Sequence, residues 1–393
     1  MNRLLLQNDV QSFINQNLTT DFKKISFAKN PFANISYAEI LNQIYNKVKA
    51  KTKLPSFFEC IDIIYPSKIS LEQSSSEITA KYKAGLVVGE TLVDLTGGFG
   101  VDDFYFSKKI KKVTHCEMNS DLHQIAKHNF KQLKTVGIEC FGGDSHVFLE
   151  KSTNAFSWIY VDPSRRNDAK GKVFMLKDCL PNVVDSLDFY FTKSQNILIK
   201  TSPILDISAG LLELNFVSQI HIVAVNNEVK ELLWILIKDF IGHTIIKAIN
   251  ILENNVQNFE FILKESNQIA NTCLPQKYLF EPNAAIMKSG GFDEITSQFE
   301  VEKLHQHSHL YTSDSLVDFP GRIFEIENCF EYNKQNMKSF LENKKANITT
   351  RNFPETVENI RKKWKINDGG NLYCFFTTDG NNNKIVLLCS KLK

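Results

Sequence analysis

The sequence predicts an α/β protein with a parallel sheet at its centre, a helical region ahead of it and α+β modules behind it. Two observations carry this. Short apolar runs ending at Asp94, Glu117, Gly143 and Asp162 alternate with stretches of helical length at about 101–109 and 120–134, the pattern of strands joined by helical crossovers. In addition, the first run, within Val93-Asp-Leu-Thr-Gly-Gly-Phe-Gly100, turns at once into glycines. A turn of that kind lets a strand reverse sharply into a helix and leaves backbone bare for close approach.

Residues 1–84 read as helical. One helix opens at Asn8 and a second at Ser36, where Ser36 with Glu39 has the spacing of a capping box. Pro55 and Pro66 punctuate a connector, and Leu71 to Ala84 reads as one further helix. That helix either lies across the ligand pocket or simply packs on the sheet. Residues 85–266 form the sheet unit. Beyond its first four strands, Asn196 to Lys200 is a fifth and Gln219 to Val225 a sixth, with a short helix at Ile207 to Leu214 between them. Glu228 to Phe240 reads as an amphipathic helix, and Thr244 to Leu252 with Asn258 to Lys264 as an antiparallel hairpin.

Residues 267–320 are expected to form a small α/β module of ferredoxin-like kind, and 321–393 a second α+β domain. In the latter a strand precedes a helix at Asn333 to Lys344, a strand at Ala346 to Arg351 and a helix starting at Pro354. A hairpin then follows, turned by Asp379-Gly-Asn-Asn-Asn383.

The candidate site lies at the strand ends, because open α/β sheets bind ligands at the carboxyl edge. Asp94, Glu117, Asp144 with Ser145, and Asp162 bring one carboxylate each to that edge, and Lys200 ends the fifth strand there. A carboxylate after the second strand can accept both hydroxyls of a ribose. A nicotinamide-type turn is excluded, since it needs a third glycine where this chain has Asp103.

These motifs resemble those of class I S-adenosylmethionine-dependent methyltransferases. The resemblance implies a Rossmann-like sheet and S-adenosylmethionine as cofactor. It assigns Asp94 to the methionine amine, Glu117 to the ribose, Asp144 with Ser145 to the adenine, and the backbone of Thr96, Gly97, Gly98 and Gly100 to close contact. Asp162-Pro-Ser-Arg-Arg166 would stand beside the transferred methyl group. Family members that methylate base amines often carry a second proline and an aromatic ring in this motif. This chain has Ser164 and Arg165 there, which removes the stacking ring. Arg165 is left to stack by its guanidinium plane, to clamp an anion, or to pair with a neighbouring acid. Asp162, Arg165 and Lys200 are thus the candidate catalytic residues.

The C-terminal segment resembles the THUMP-like domain of a bacterial family of these enzymes through Thr350-Arg-Asn-Phe-Pro354, Ile360-Arg-Lys-Lys363 and Asp368-Gly-Gly370. With Glu72-Gln-Ser-Ser-Ser-Glu77 and the motif at Asp162, the likeness covers most of residues 66–393. It implies RNA, tRNA or rRNA, as partner and substrate. Two other readings compete: methylation of a small metabolite or a protein side chain, and a non-catalytic scaffold that keeps the fold. The basic, aromatic run Arg361-Lys-Lys-Trp-Lys365 fits an RNA surface and fits an ordinary helix end equally well.

Composition bounds these readings. The chain has 393 residues, 43% hydrophobic and 23% charged, with 30 Phe, ample for more than one core. Net charge is +2, so nucleic-acid contact would have to come from local patches. The eight cysteines include no C-x-x-C pair, which argues against a zinc site and for a reducing compartment. The start lacks a signal-peptide core and the run Leu232 to Ile237 is too short to span a bilayer, so the expected location is the cytoplasm with no membrane contact. His305, His307 and His309 alternate and read as one face of a surface strand in preference to a metal site.

Overall fold

The computed structural model describes residues 1–165, 175–263 and 270–392, with Arg165 described by its backbone. The chain forms two units, Met1–Ser218 with Leu232–Ile241, and Gln219–Glu231 with Gly242–Lys393.

The first unit opens with helices α1 (Asn8–Gln16), α2 (Phe22–Ser26), α3 (Tyr37–Lys53), α4 (Pro55–Glu59), α5 (Lys68–Gln73) and α6 (Glu77–Ala84). Val10, Ile14, Ile25, Ile40 and Ile44 make their own small core. Ser36 stands at the cap of α3 but its side chain makes no capping bond. Glu39 instead accepts from the Asn2 amide at 3.1 Å, so the expected capping box is not formed. The single helix expected over 71–84 is two. Ser74 leaves α5 in an extended conformation, and the Ser76 side chain caps α6 by accepting from the N–H of Thr79. Serines break the helix because their hydroxyls offer the backbone other partners.

An extended segment around Ile64 and Tyr65 is held from both sides by side-chain amides. Gln43 of α3 bonds both backbone groups of Tyr65, at 2.7 and 2.8 Å. The following elements are β1 (Thr91–Asp94), α7 (Val101–Phe106), β2 (Lys112–Glu117), α8 (Ser120–Gln132), β3 (Ile138–Gly142), α9 (Ser145–Lys151) and β4 (Trp158–Val161). Asn129 of α8 bonds both backbone groups of Ile64, at 3.0 and 2.8 Å. Buried backbone must be paired, and here side chains take the place of neighbouring strands. The rings of Phe57 and Tyr65 then pack on Phe99 of the glycine-rich turn, with centroids 5.3 and 6.3 Å away.

Next come β5 (Ser164–Arg165), β6 (Cys179–Leu180), α10 (Val183–Lys193), β7 (Asn196–Thr201), α11 (Ile207–Glu213), β8 (Val217–Val225) and β9 (Glu228–Ile237). Strands of this unit run in the order β9-β7-β4-β1-β2-β3. The neighbours from β7 to β3 are parallel, and β9 is antiparallel to β7. Leu92, Val93, Val113, Ile159, Val161, Ile197 and Ile199 are fully buried, as strands covered on both faces require. The fold class read from the sequence is therefore the one observed.

One element differs in kind. Residues 228–237 form a strand and not the expected helix. Leu232 to Leu236 are all buried without a break, whereas an amphipathic helix would expose a residue every few positions. The register opposite β7, from Asn196↔Ile237 to Thr201↔Leu232, covers that apolar run.

In the second unit, β10 (Ile245–Ile251) and β11 (Val256–Ile262) form the expected antiparallel hairpin, and β10 lies parallel to β8. Then follow β12 (Tyr278–Pro282), α12 (Ala284–Ser289), α13 (Glu294–Phe299), β13 (Glu302–Lys303), β14 (Tyr311–Ser313), β15 (Gly321–Glu331), α14 (Lys334–Phe340), β16 (Asn347–Thr350), α15 (Val357–Trp364), β17 (Tyr373–Thr378) and β18 (Lys384–Lys391). Their sheet has the order β13-β14-β12-β15-β18-β17-β16. The start of α15 is set by Thr356, whose side chain accepts from the N–H of Asn359. Pro354 therefore precedes the helix and does not open it. Asp379 closes the last hairpin by accepting from the N–H groups of Asn381 and Asn383 at 2.9 and 2.8 Å. His305, His307 and His309 lie in a turn and not on a strand. The His305 ring is held by Asn352 and Asn382, and the His309 ring stacks on Phe292. No helix among the described residues is long and apolar enough to cross a membrane.

Candidate functional site

Parallel pairing of β7, β4, β1, β2 and β3 puts their C-terminal ends on one edge. Chain order turns back between β1 and β4, so the connections after these two strands leave on opposite faces, which in open α/β sheets marks the ligand crevice. Asp94 ends β1, Glu117 ends β2, Asp162 directly follows β4, and Lys200 is the penultimate residue of β7. All four sequence-predicted positions thus reach the same edge.

Hydrogen bonds knit the edge together. Both the N–H and the hydroxyl of Thr96 donate to Asp94 Oδ1, at 2.7 and 3.1 Å. Thr96 Oγ1 in turn accepts from the backbone N–H of Asp162 at 2.7 Å. Glu117 Oε2 accepts from the N–H of Gly98 at 2.9 Å and Oε1 from that of Asn119 at 2.6 Å. The acid after β2 is therefore aimed back at the glycine-rich turn. Gly97 has no room for a side chain, since a Cβ there would stand 2.2 Å from His115 Nδ1. Gly98 has φ +57° and only the Thr96 carbonyl oxygen near its Cβ position, at 3.6 Å. One glycine lets the turn sit on the strand beneath, and the next leaves bare backbone on its open side.

Behind the turn lies a buried acid–imidazole cluster that the sequence reading missed. Asp94 is 2% exposed, and Asp103 and His115 are fully buried. Asp103 Oδ2 is 2.6 Å from His115 Nδ1. Burial first, then the nearby Asp103 carboxyl, pushes Asp94 well above the usual carboxylate range. Burial followed by Asp102 does the same to Asp103, and burial lowers His115. Burial thus favours the uncharged forms of the two carboxyls and of the imidazole. The available signal was the pair Asp102-Asp103 just after the glycines, with a histidine two positions before Glu117.

Asp162 forms an ion pair with Lys200, the side chains being 35% and 13% exposed. Asp144 is exposed and caps α9 by accepting from the N–H of His146 at 2.8 Å, with Ser145 opening that helix. Backbone pairing of Ser164 with Leu180 and Arg165 with Cys179 anchors the segment after Asp162. The side chain of Arg165, and Arg166 entirely, lie outside the described residues.

A cavity of about 580 Å³ between α3 and α8 is bordered by Asn42, Gln43, Tyr65 and Asn119. It includes none of the strand-end acids, and its amides are bound to the carbonyls of Pro66 and Tyr65.

In the second unit the basic run on α15 is largely occupied. Arg361 pairs with Asp368 at 2.5 Å, and Lys363 with Glu355 at 3.0 Å. Trp364 is 6% exposed within the local core, so its ring cannot stack on a base. Lys362 and Lys365 stay exposed.

Comparison with known proteins adds the following. Residues 278–320 match a ferredoxin-like domain model, and residues 321–391 a THUMP domain-like model. The crystal structure of a proposed methyltransferase from Porphyromonas gingivalis W83 is 30% identical, covers 100% of this chain and 99% of that one, and has a TM-score of 0.88. Partial likenesses include an rRNA methylase from Streptococcus thermophilus at 13% identity, covering 41% of this chain and 94% of that one, TM-score 0.30. A proposed methyltransferase from Escherichia coli is 18% identical over 42% of this chain and 86% of that one, TM-score 0.31. No curated protein matches the sequence.

Proposed function

The chain belongs to a family of class I methyltransferases with ferredoxin-like and THUMP-like C-terminal domains, and from that premise we propose that it methylates RNA with S-adenosylmethionine as donor. The observation that carries this reading is the arrangement at the crevice, where Thr96 joins Asp94 to Asp162 while Glu117 is bonded to the glycine-rich turn.

The residues fit such a cofactor. Gly98 offers backbone with open space above it, Glu117 has its carboxylate fixed beside that backbone, and Asp144 stands exposed at the next strand end. The bound cofactor would supply a methyl group on a cationic sulfur, which leaves as a neutral thioether. Proximity and alignment then provide most of the acceleration. In this reading Glu117 holds the ribose hydroxyls, and Asp144 with Ser145 borders the adenine. Asp94, with Thr96 and the backbone of Gly97, Gly98 and Gly100, orients the methionine end. Asp162 faces the acceptor, and Lys200, paired with its carboxylate, directs it. An oxygen of Asp162 can accept a hydrogen bond from an acceptor N–H or O–H and so aim the lone pair at the methyl carbon. Arg165, next in the same segment, is the candidate to meet an RNA phosphate.

The RNA assignment is supported by the THUMP-like match and by exposed Lys362 and Lys365. It is tested by tritium transfer from labelled S-adenosylmethionine into RNA, protein and small-molecule fractions of cells lacking this protein, with wild type against Asp162→Ala. Label in RNA with the wild type alone is the expected result. Label in another fraction moves the acceptor to a protein or metabolite, and cofactor binding without transfer to any fraction moves the protein to a scaffold.

A further inference from the structure

Asp102, the second residue of α7, gathers partners from two distant parts of the first unit, the segment from Ser75 to Lys83 around α6 and strand β4. The Ser75 hydroxyl donates to its Oδ2 at 2.8 Å, and the Tyr160 hydroxyl donates to the same oxygen at 2.8 Å. Lys83 Nζ lies 3.3 Å from Oδ1 and donates to Ser75 Oγ at 3.1 Å. Lys83 is fully buried, and the Asp102 side chain is 11% exposed.

A buried ammonium and carboxylate are an expensive way to hold two helices together. Desolvation costs several kcal/mol per ion, and apolar residues of similar volume often stabilise a fold as well or better. What this polar set adds is direction. Asp102 stands two residues after Gly100, and Tyr160 two residues before Asp162. Their bond fixes the end of the glycine-rich turn to the strand that delivers the acceptor-facing acid, while Ser75 and Lys83 hold the carboxylate in one orientation from the α6 side.

We propose that Asp102 is a positioning residue: held by Lys83, Ser75 and Tyr160, its carboxylate sets the glycine-rich turn against β4 in the geometry that binds S-adenosylmethionine. Asp102 acts through the turn and does not touch the cofactor. The proposal rests on the methyltransferase reading above and adds to it a role for residues outside the strand-end acids.

The test is calorimetric titration of the full-length protein with S-adenosylhomocysteine, alongside thermal unfolding. The variant Lys83→Met/Asp102→Leu/Tyr160→Phe replaces the ion pair and the Tyr160 hydroxyl by apolar groups and leaves only Ser75 polar. It should melt within a few degrees of wild type while binding at least about tenfold more weakly. Stability kept with affinity lost is a split that a merely structural role does not produce. A variant that melts normally and binds within about twofold of wild type overturns the proposal. If the triple variant does not fold, Tyr160→Phe alone decides: removal of one hydroxyl should weaken binding by about three- to tenfold, and unchanged affinity overturns it. Wild-type protein that binds no S-adenosylhomocysteine overturns the cofactor reading and this proposal together, a result distinct from normal binding by the variants.

Discussion

The hydroxyl of Thr96 accepts the backbone N–H of Asp162 at 2.7 Å, joining positions 66 residues apart in sequence. It crosses from the loop after β1 to the loop after β4, where the strand order turns back. The same hydroxyl donates to Asp94, so the backbone of the segment after β4 is tied to the acid of the glycine-rich turn through one oxygen.

Thr96→Val keeps the shape of the side chain and removes that oxygen. The N–H of Asp162 then loses its acceptor in a partly buried setting, which should cost about 1–2 kcal/mol of stability in urea unfolding. Methyl transfer should fall further than cofactor affinity, because Asp162 moves while Glu117 and Gly98 stay paired. Thr96→Ser restores the bond and should restore both. Equal transfer rates for Thr96→Val and wild type would remove the link from the mechanism.

Two neighbouring glycines should respond differently to alanine. At Gly97 the added Cβ would stand 2.2 Å from His115 Nδ1, inside a buried cluster with no slack. Gly97→Ala should therefore cost about 1–3 kcal/mol and abolish cofactor binding. At Gly98 there is space, and only the backbone at φ +57° resists. A cost of about 1 kcal/mol is expected, with binding weakened by loss of bare backbone. Calorimetry and thermal melts of the two variants give the order directly, and a larger loss at Gly98 would contradict the packing.

Why some of this was legible from sequence and some was not follows from the range of the forces. Strand-end acids show themselves because apolar runs stop where they begin, and Asp94, Glu117 and Asp162 all reach the expected edge. The strand at 228–237 was misread because Glu, Lys and Leu favour helices locally. Its state is decided by pairing with β7, which no local pattern contains. The break between α5 and α6 was visible as three serines, yet their effect depends on Ser76 finding the N–H of Thr79. Thr96 was assigned for its backbone, while its hydroxyl does the joining. Tyr160 and Asp102 meet across 58 positions, and the glycine at 97 is explained by His115 on another strand. Contacts of that separation are set by the sheet and not by spacing.

His221 gives the second unit a defined pH response. It is 2% exposed, and burial, helped by nearby Lys247, lowers it from 6.5 to about 4. The folded state thus binds its proton less readily than the unfolded state. Its contribution is present above pH 6.5 and is lost as pH falls towards 4, a total of roughly 3 kcal/mol. Urea midpoints of wild type should drop through this window more steeply than those of His221→Gln, whose side chain does not titrate. Parallel slopes would mean that His221 is protonated in the folded protein.

Glu281 binds two arginines at once, Arg322 Nε at 2.6 Å and Arg351 Nη2 at 3.0 Å. The acid lies in the ferredoxin-like segment and both arginines in the THUMP-like one, so one carboxylate fastens the two modules within the second unit. Glu281 is 3% exposed, whereas the arginine side chains are 39% and 34% exposed. Solvent screening on the arginine side limits the loss in Glu281→Gln to about 2 kcal/mol. Chemical unfolding measures it, and an unchanged midpoint would show that the fastening is dispensable.

RNA contact by α15 must run through Lys362 and Lys365, because Arg361 and Lys363 are paired with acids and Trp364 is buried. Charge without aromatic stacking makes a contact to phosphate and not to a base, so it should be insensitive to sequence and sensitive to salt. Each lysine that neutralises a phosphate of single-stranded RNA contributes about 0.7 to the slope of log affinity against log salt. Lys362→Gln/Lys365→Gln should therefore lower that slope by about 1.4 and weaken all RNAs alike, without changing the melting temperature. Trp364→Ala should do the opposite, unfolding the domain that its ring fills. A slope unchanged in the double lysine variant would place the RNA on another face of the protein.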